Sequence, residues 1–273
     1  MPTPRRRRHW SRRARSGVRP ASRGEVDSVF RAAPEMYLYG IGDLSDFFWD
    51  RATWWATPRA AIGLLRLDGI PDPILYAQGP PDDPELLALA AAVVDHLPSV
   101  CEGQVAIGID RALSPWFDVA LSIPLRGMIL SRPDALVGDG IGDRLGIADY
   151  PEIRAFFDAT ADAEGHLGPD MVATGQYFGV RDASGALVAV AGVHLAVPSH
   201  GVAAIANVAT RPDHRGRGLA RGLVTRLARE LHAAYPVVGL SCRMDNAAAL
   251  RLYASLGFEV CHAFVHQRFV RRV

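Results

Sequence analysis

The chain has 273 residues, with 30 basic and 29 acidic side chains, a formal net charge of +1 and 49% hydrophobic residues. That balance excludes a disordered polyampholyte and suits one large domain or two small ones. Every basic residue is arginine, which rules out a Walker A loop and Schiff-base chemistry on lysine.

Residues 1–24 hold nine arginines and no acid, leaving 21 arginines against 29 acids in the rest, a net of −8. Such a block invites a nucleic-acid reading. Its single aromatic residue, Trp10, and the lack of a binding motif around it favour a solvated basic tail instead. No apolar core follows the arginines, so it does not read as a secretory signal.

From Glu25 the chain has helical character punctuated by Gly40 and Gly42. Strands are predicted at Thr53–Ala56, Ala60–Leu67 and Pro73–Ala77, a helix over Asp83–Leu97 and a strand at Gln104–Ile109. The apolar run Leu86–Val94 is too short to span a bilayer. Cys101, Cys242 and Cys261 are odd in number and show no metal-type spacing, and the nine histidines form no ligand cluster. No metal site is expected, and a soluble cytoplasmic protein is.

The second half repeats this grammar. A strand from Leu125 leads to helical segments near Asp149–Ala161 and strands at Tyr177–Arg181, Leu187–Val197 and Val202–Thr210. A long helix, Gly218–Ala234, carries Leu219, Leu223, Leu227 and Leu231 at every fourth position for packing on a sheet. A strand at Val237–Arg243, a helix capped by Asp245 or Asn246 and ending at Gly257, and strands from Phe258 and Gln267 complete the chain.

The most informative stretch joins the strand Val202–Thr210 to the long helix. Arg215-Gly216-Arg217-Gly218-Leu219-Ala220 places two glycines where a helix begins. Glycine admits turn geometry and close approach of a ligand, and the first-turn N–H groups favour an anion such as a pyrophosphate. By itself the loop is equally an ordinary strand–helix turn. It is a poor Rossmann fingerprint, since Gly216-x-Gly218-x-x-x-Gly222 lacks the spacing and no acid follows about 20 residues on. Downstream, Asn246 and Tyr253 share one helical face about 10 Å apart.

These two elements together resemble the GNAT superfamily of acyl-CoA-dependent N-acetyltransferases. Arg215-x-x-Gly218-x-Ala220 matches the family's Arg/Gln-x-x-Gly-x-Gly/Ala signature. Asn246, Ala249, Tyr253, Gly257 and Phe258 match its Asn-x-x-Ala-x-x-x-Tyr-x-x-x-Gly-Phe helix and strand. The resemblance implies a mixed α/β (α+β) fold: a mostly antiparallel sheet flanked by helices, here as two tandem GNAT-like lobes. The expected layout is a tail at 1–24, a degenerate lobe at 25–128 and a catalytic domain at 129–273, similar to glycine N-acyltransferase relatives. At the matching turn the first lobe has Gln78-Gly-Pro-Pro-Asp-Asp83, whose prolines lack N–H donors and whose acids would repel a phosphate.

The resemblance further implies acetyl-CoA as co-substrate and transfer to a primary amine of a small-molecule or peptide acceptor in a ternary complex. A bulged strand would offer the backbone of Val208, Ala209 and Thr210 to the pantetheine and the thioester carbonyl. The N–H groups of Arg215, Gly216, Arg217, Gly218, Leu219 and Ala220 would hold the pyrophosphate. Asn246 would touch the cofactor arm or position a water, and Tyr253 would protonate the leaving thiolate. The general base is open: His194 is a candidate, but a lone histidine in an apolar strand is more often structural. His214 reads as a phosphate contact or a turn residue. Alternatives are a longer-chain N-acyltransferase of an amino acid and a non-catalytic acyl-CoA sensor.

Overall fold

A computed structural model describes residues 18–67, 69–160 and 167–273. The basic tail therefore lies outside the described residues up to residue 17. Residues 18–24 run into the first helix: the Ala21 N–H donates to the Trp54 carbonyl (2.7 Å), and Ser22 caps α1 (Arg23–Arg31) in a capping box with Glu25.

Two short helices, α2 (Leu38–Gly42) and α3 (Asp46–Trp49), precede strands β1 (Ala52–Ala56), β2 (Ala61–Leu65) and β3 (Ile74–Tyr76). Helix α4 (Pro84–Ala92) leads to β4 (Val100–Val105), helix α5 (Ile109–Leu113) and the 14-residue strand β5 (Phe117–Leu130). Then come β6 (Asp143–Leu145), α6 (Tyr150–Ala159), α7 (Pro169–Ala173), β7 (Tyr177–Arg181), β8 (Leu187–Val197) and β9 (Val202–Thr210). Helix α8 (Leu219–Ala234), β10 (Val237–Arg243), α9 (Ala247–Ser255) and the 14-residue β11 (Phe258–Arg271) close the chain.

All the strands join one sheet, in the order β1-β2-β3-β4-β11-β5-β10-β9-β8-β7-β6. Each half follows one plan. An antiparallel run ends in a parallel pair bridged by a helix: β3 and β4 across α4, β9 and β10 across α8. The halves then exchange their last strands. β11 inserts between β4 and β5, while β5 inserts between β10 and β11. Pro124 pairs with Val265 near the middle of this exchange. The expected sheet, mostly antiparallel and flanked by helices in two lobes of like topology, is what the chain forms.

Three predicted elements differ. The strand expected at Gln104–Ile109 lies at Val100–Val105, where Cys101, Gly103 and Val105 point inward and polar Glu102 and Gln104 hide the alternation. Gly108, with φ of 103°, instead starts α5. The two strands expected from Phe258 and Gln267 are one, interrupted by register shifts at Val260/His262 and Arg268/Phe269. The strand predicted from Leu125 begins at Phe117, because residues 118–122 are exposed and carry no buried alternation.

The apolar run of β9 is buried on both sides, as expected for a strand covered on two faces. Ala203 and Ile205 join the core under α6–α8, whereas Val202 and Ala204 face α1–α3 on the other side. Helix α2 thus covers the sheet of the C-terminal half, while α1 and α3 pack against β1. Gly40 and Gly42 permit that approach, since a Cβ on Gly42 would sit 2.6 Å from Leu195 and one on Gly40 2.7 Å from the Phe30 and Tyr76 rings.

Candidate active site

Strands β9 and β10 are paired only from Val202–Val237 to Ile205–Leu240. Beyond that, β9 stays with β8 as far as Thr210 and β10 with β5 as far as Arg243, so the two neighbours part. The gap opens into a cleft of about 1660 Å³ lined by both strands, the loop before α8, and α9.

A bulge sets the shape of β9 here. Val190 pairs with Ala209 but Gly192 with Ala206, which leaves an extra residue on β9. Asn207 takes the left-handed region, with φ of 53°. Its Nδ2 donates to the Tyr177 hydroxyl (2.7 Å), which in turn donates to the Val193 carbonyl (2.9 Å). A second register shift, between Val193 and Leu195, sets His194 on the cleft side as an exposed residue between two buried ones. One buried phenol therefore ties down both irregularities.

The loop before α8 is built around two positive-φ glycines, Gly216 and Gly218, both at 77°. A Cβ on either would meet nothing within 4 Å, so their outer side is open space. Among the described residues no acceptor engages the backbone N–H groups of Gly216 through Ala220, and no side chain caps α8. Five partly aligned donors and the positive end of a 16-residue helix face the cleft mouth. Arg215 donates through Nε to the Thr210 carbonyl (3.2 Å), and Arg217 turns back to the Asp213 carbonyl (3.0 Å). Asp213 pairs with Arg211 (2.7 Å) and with His214 (2.9 Å); His214 first, then Arg211, holds its carboxyl below the usual range. His214 thus joins the turn and also borders the cleft.

The equivalent place in the first half is closed. Asp83 accepts from the Leu86 N–H (2.8 Å), and Pro84 occupies the first turn of α4. Past β3, Ala77 remains bridged to β4 through Ala77 N–H to Gln104 O (3.1 Å) and Ala106 N–H to Ala77 O (2.7 Å). Buried Gln78 adds a bond from its Nε2 to Gln104 Oε1 (2.8 Å). No gap forms there.

On the far wall, Asn246 rather than Asp245 caps α9, its Oδ1 accepting from the Ala249 N–H at 3.0 Å. Asp245 instead pairs with Arg243 (2.7 Å). Tyr253 lines the cleft at 8% exposure, its ring edge-on to Phe258. Burial pushes its phenol well above the ordinary value, so it keeps its proton throughout the working pH range. No hydrogen bond of that hydroxyl is formed among the described residues.

Val208, Ala209, Thr210, Arg215, Gly216, Gly218, Leu219, Ala220, Asn246, Tyr253 and His194 all border this one cleft; Arg217 lies just outside it. Sequence reasoning missed the contribution of α2. Tyr39 donates to Ser241 Oγ on β10 (3.1 Å) and meets the His194 ring edge-on at 5.5 Å. Asp43, one helical turn on, borders the same cleft. Nothing local marks these residues, because only the packing of α2 on the other half brings them there.

Residues 148–258 match the model of the acetyltransferase (GNAT) family. The C-terminal part of the chain is a GNAT domain. A 50-residue stretch is 42% identical to an acetyltransferase of Sodalis glossinidius, covering 18% of this chain and 35% of that protein. The chain thus spans about a third of that relative's length. A GNAT-family structure from Novosphingobium aromaticivorans is 28% identical, with a TM-score of 0.53 over 77% of this chain and 89% of that one. A tandem GNAT protein from the clavulanic acid biosynthesis pathway shares the fold across both halves, with a TM-score of 0.51, 16% identity and coverage of 92% and 97%. The GNAT domain's parting strands, bulge and uncapped helix all lie in the matched region. Among the described residues no helix is long and apolar enough to cross a membrane.

Proposed function

We propose that this protein is an acyl-CoA-dependent N-acyltransferase that moves an acetyl group to a primary amine by direct attack in a ternary complex. The observation that carries this reading is the uncapped start of α8. Its free donors and open glycines border the same cleft as the parted strands and the Tyr253 hydroxyl. The fit to coenzyme A is one of donor chemistry, since an anion needs N–H groups and room, and residues 216–220 offer both. The thioester supplies the activated acyl group.

In this reading the backbone of Val208, Ala209 and Thr210 orients the pantetheine arm and stabilises charge developing on the carbonyl oxygen. Asn246, held by its cap bond, flanks the arm. Tyr253 gives its proton to the departing thiolate, and His194 or a water beside it takes the proton from the amine. Residues 129–273 act as the catalytic domain. Residues 25–128 form a lobe without its own cofactor cleft, in keeping with the closed turn at Asp83.

A non-catalytic acyl-CoA sensor would have no use for a buried, unpartnered phenol at the cleft wall. The size of the cleft does support a second reading, transfer of a longer acyl chain. Thiol release from acetyl-, butyryl- and octanoyl-CoA with a panel of amines tests both. Amine-dependent release carries the enzyme reading, and the preferred chain length chooses between donors. Tight acyl-CoA binding with no release for any amine would favour the sensor.

A further inference from the structure

We propose that Asp43 binds the acceptor, and that the cleft takes a cationic small molecule whose ammonium group pairs with the Asp43 carboxylate against an aromatic wall. This rests on the acyltransferase reading and deepens it by assigning the acceptor end of the site.

The placement comes from α2. Asp43 follows Tyr39 by four residues, and its N–H donates to the Tyr39 carbonyl (3.0 Å), so the two side chains leave the helix on one face, one turn apart. Tyr39 already reaches the parted strands through Ser241 and His194. Asp43 therefore lies one helical turn from the residue that meets Ser241 and His194, on the wall of the same cleft. Tyr39, Tyr76 and Phe48 border the cleft around it.

The chemistry follows from what does not meet Asp43. Among the described residues its carboxylate has no hydrogen bond and no ion pair. The cation on that wall, Arg51, is engaged elsewhere: its guanidinium stacks over the Phe47 ring at 4.1 Å and donates to the Phe47 carbonyl at 2.7 Å. A half-buried carboxylate without a partner is costly, and a bound cation relieves that cost. Desolvation alone pushes the Asp43 carboxyl up to about 8, so the free site holds its proton at neutral pH and a bound ammonium draws it into the ionised form. Aromatic faces beside it add attraction for an ammonium and little for a neutral group. Arg215, Arg217 and Arg221 lie at the start of α8, whereas Asp43, Glu102 and Asp170 border the rest of the cleft, so the cofactor end is cationic and the acceptor end acidic.

The test is equilibrium binding to the full chain of phenethylammonium and butylammonium, each against its alcohol isostere. At least one ammonium should bind ten times or more tighter than its alcohol. Asp43→Asn should reduce that preference to within twofold while leaving the thermal midpoint and acetyl-CoA affinity in place, and Asp43→Glu should keep it. Equal or undetectable binding of ammonium and alcohol, or a preference that survives in Asp43→Asn, overturns the proposal. Loss of acetyl-CoA binding in the unsubstituted protein would instead overturn the acyltransferase reading, whatever Asp43 does.

Discussion

The Tyr39 hydroxyl sits 3.1 Å from Ser241 Oγ across 202 residues of sequence, tying the second helix of the chain to a strand of the GNAT domain. That bond fixes where α2 lies on the cleft, and with it the direction of Asp43. Burial raises the Tyr39 phenol to about 12, so it stays a donor.

Removing either partner should cost about 1 kcal/mol of stability, the usual net worth of a part-buried hydrogen bond. Tyr39→Phe and Ser241→Ala should each show this in denaturant unfolding, and the double variant should be less destabilised than the sum. Strict additivity would mean that the two groups do not interact.

Tyr253→Phe keeps the ring and its contact with Phe258 but removes the proton proposed for the thiolate. Turnover should fall by about 10²-fold, within the range for general acids, with acetyl-CoA affinity within twofold. Steady-state thiol release across the pH range reads this, and unchanged turnover would remove Tyr253 from that role.

His262 is half-buried in β11, and desolvation lowers it to about 4, against an upward pull from Glu35. The folded protein thus holds it neutral while the unfolded chain takes a proton near its ordinary value of 6.5. Its stabilising contribution is full above about pH 6.5 and is lost as pH falls towards 4, by at most about 3 kcal/mol. His262→Gln should flatten the decline of urea-measured stability over that window. A slope as steep as in the unsubstituted protein would assign the acid sensitivity to other groups.

Asp83 caps α4 at the place in the first half that corresponds to the turn before α8. Asp83→Ala should lower stability by about 1 kcal/mol, as lost caps do, and leave acetyl-CoA affinity unchanged. Altered affinity would show that the two lobes share the cofactor.

Much of this was legible in the sequence, for local reasons. The strands at 177–181, 187–197, 202–210 and 237–243 follow from continuous apolar runs bounded by glycine or proline. Helix α8 follows from its four-residue leucine repeat, and the glycine loop from its pairing with the downstream Asn246–Phe258 motif. The exchange of β5 and β11 was hidden because the solvent-facing residues of β5, such as Val119 and Leu121, break the pattern of a covered strand. Asp43 was hidden for another reason. Its significance lies in what α2 packs against, and no residue near it in the chain reports that.

Titration calorimetry of acetyl-CoA into the full chain, beside Gly218→Ala and Gly218→Glu, bears most directly on the account. Gly218 sits at φ of 77° with open space outside it, so alanine should cost about 1–2 kcal/mol of backbone strain and only modest affinity. Glutamate should fill and charge the cradle and abolish micromolar binding. Acetyl-CoA binding that survives Gly218→Glu would contradict the assignment of the α8 N-terminus as the pyrophosphate site.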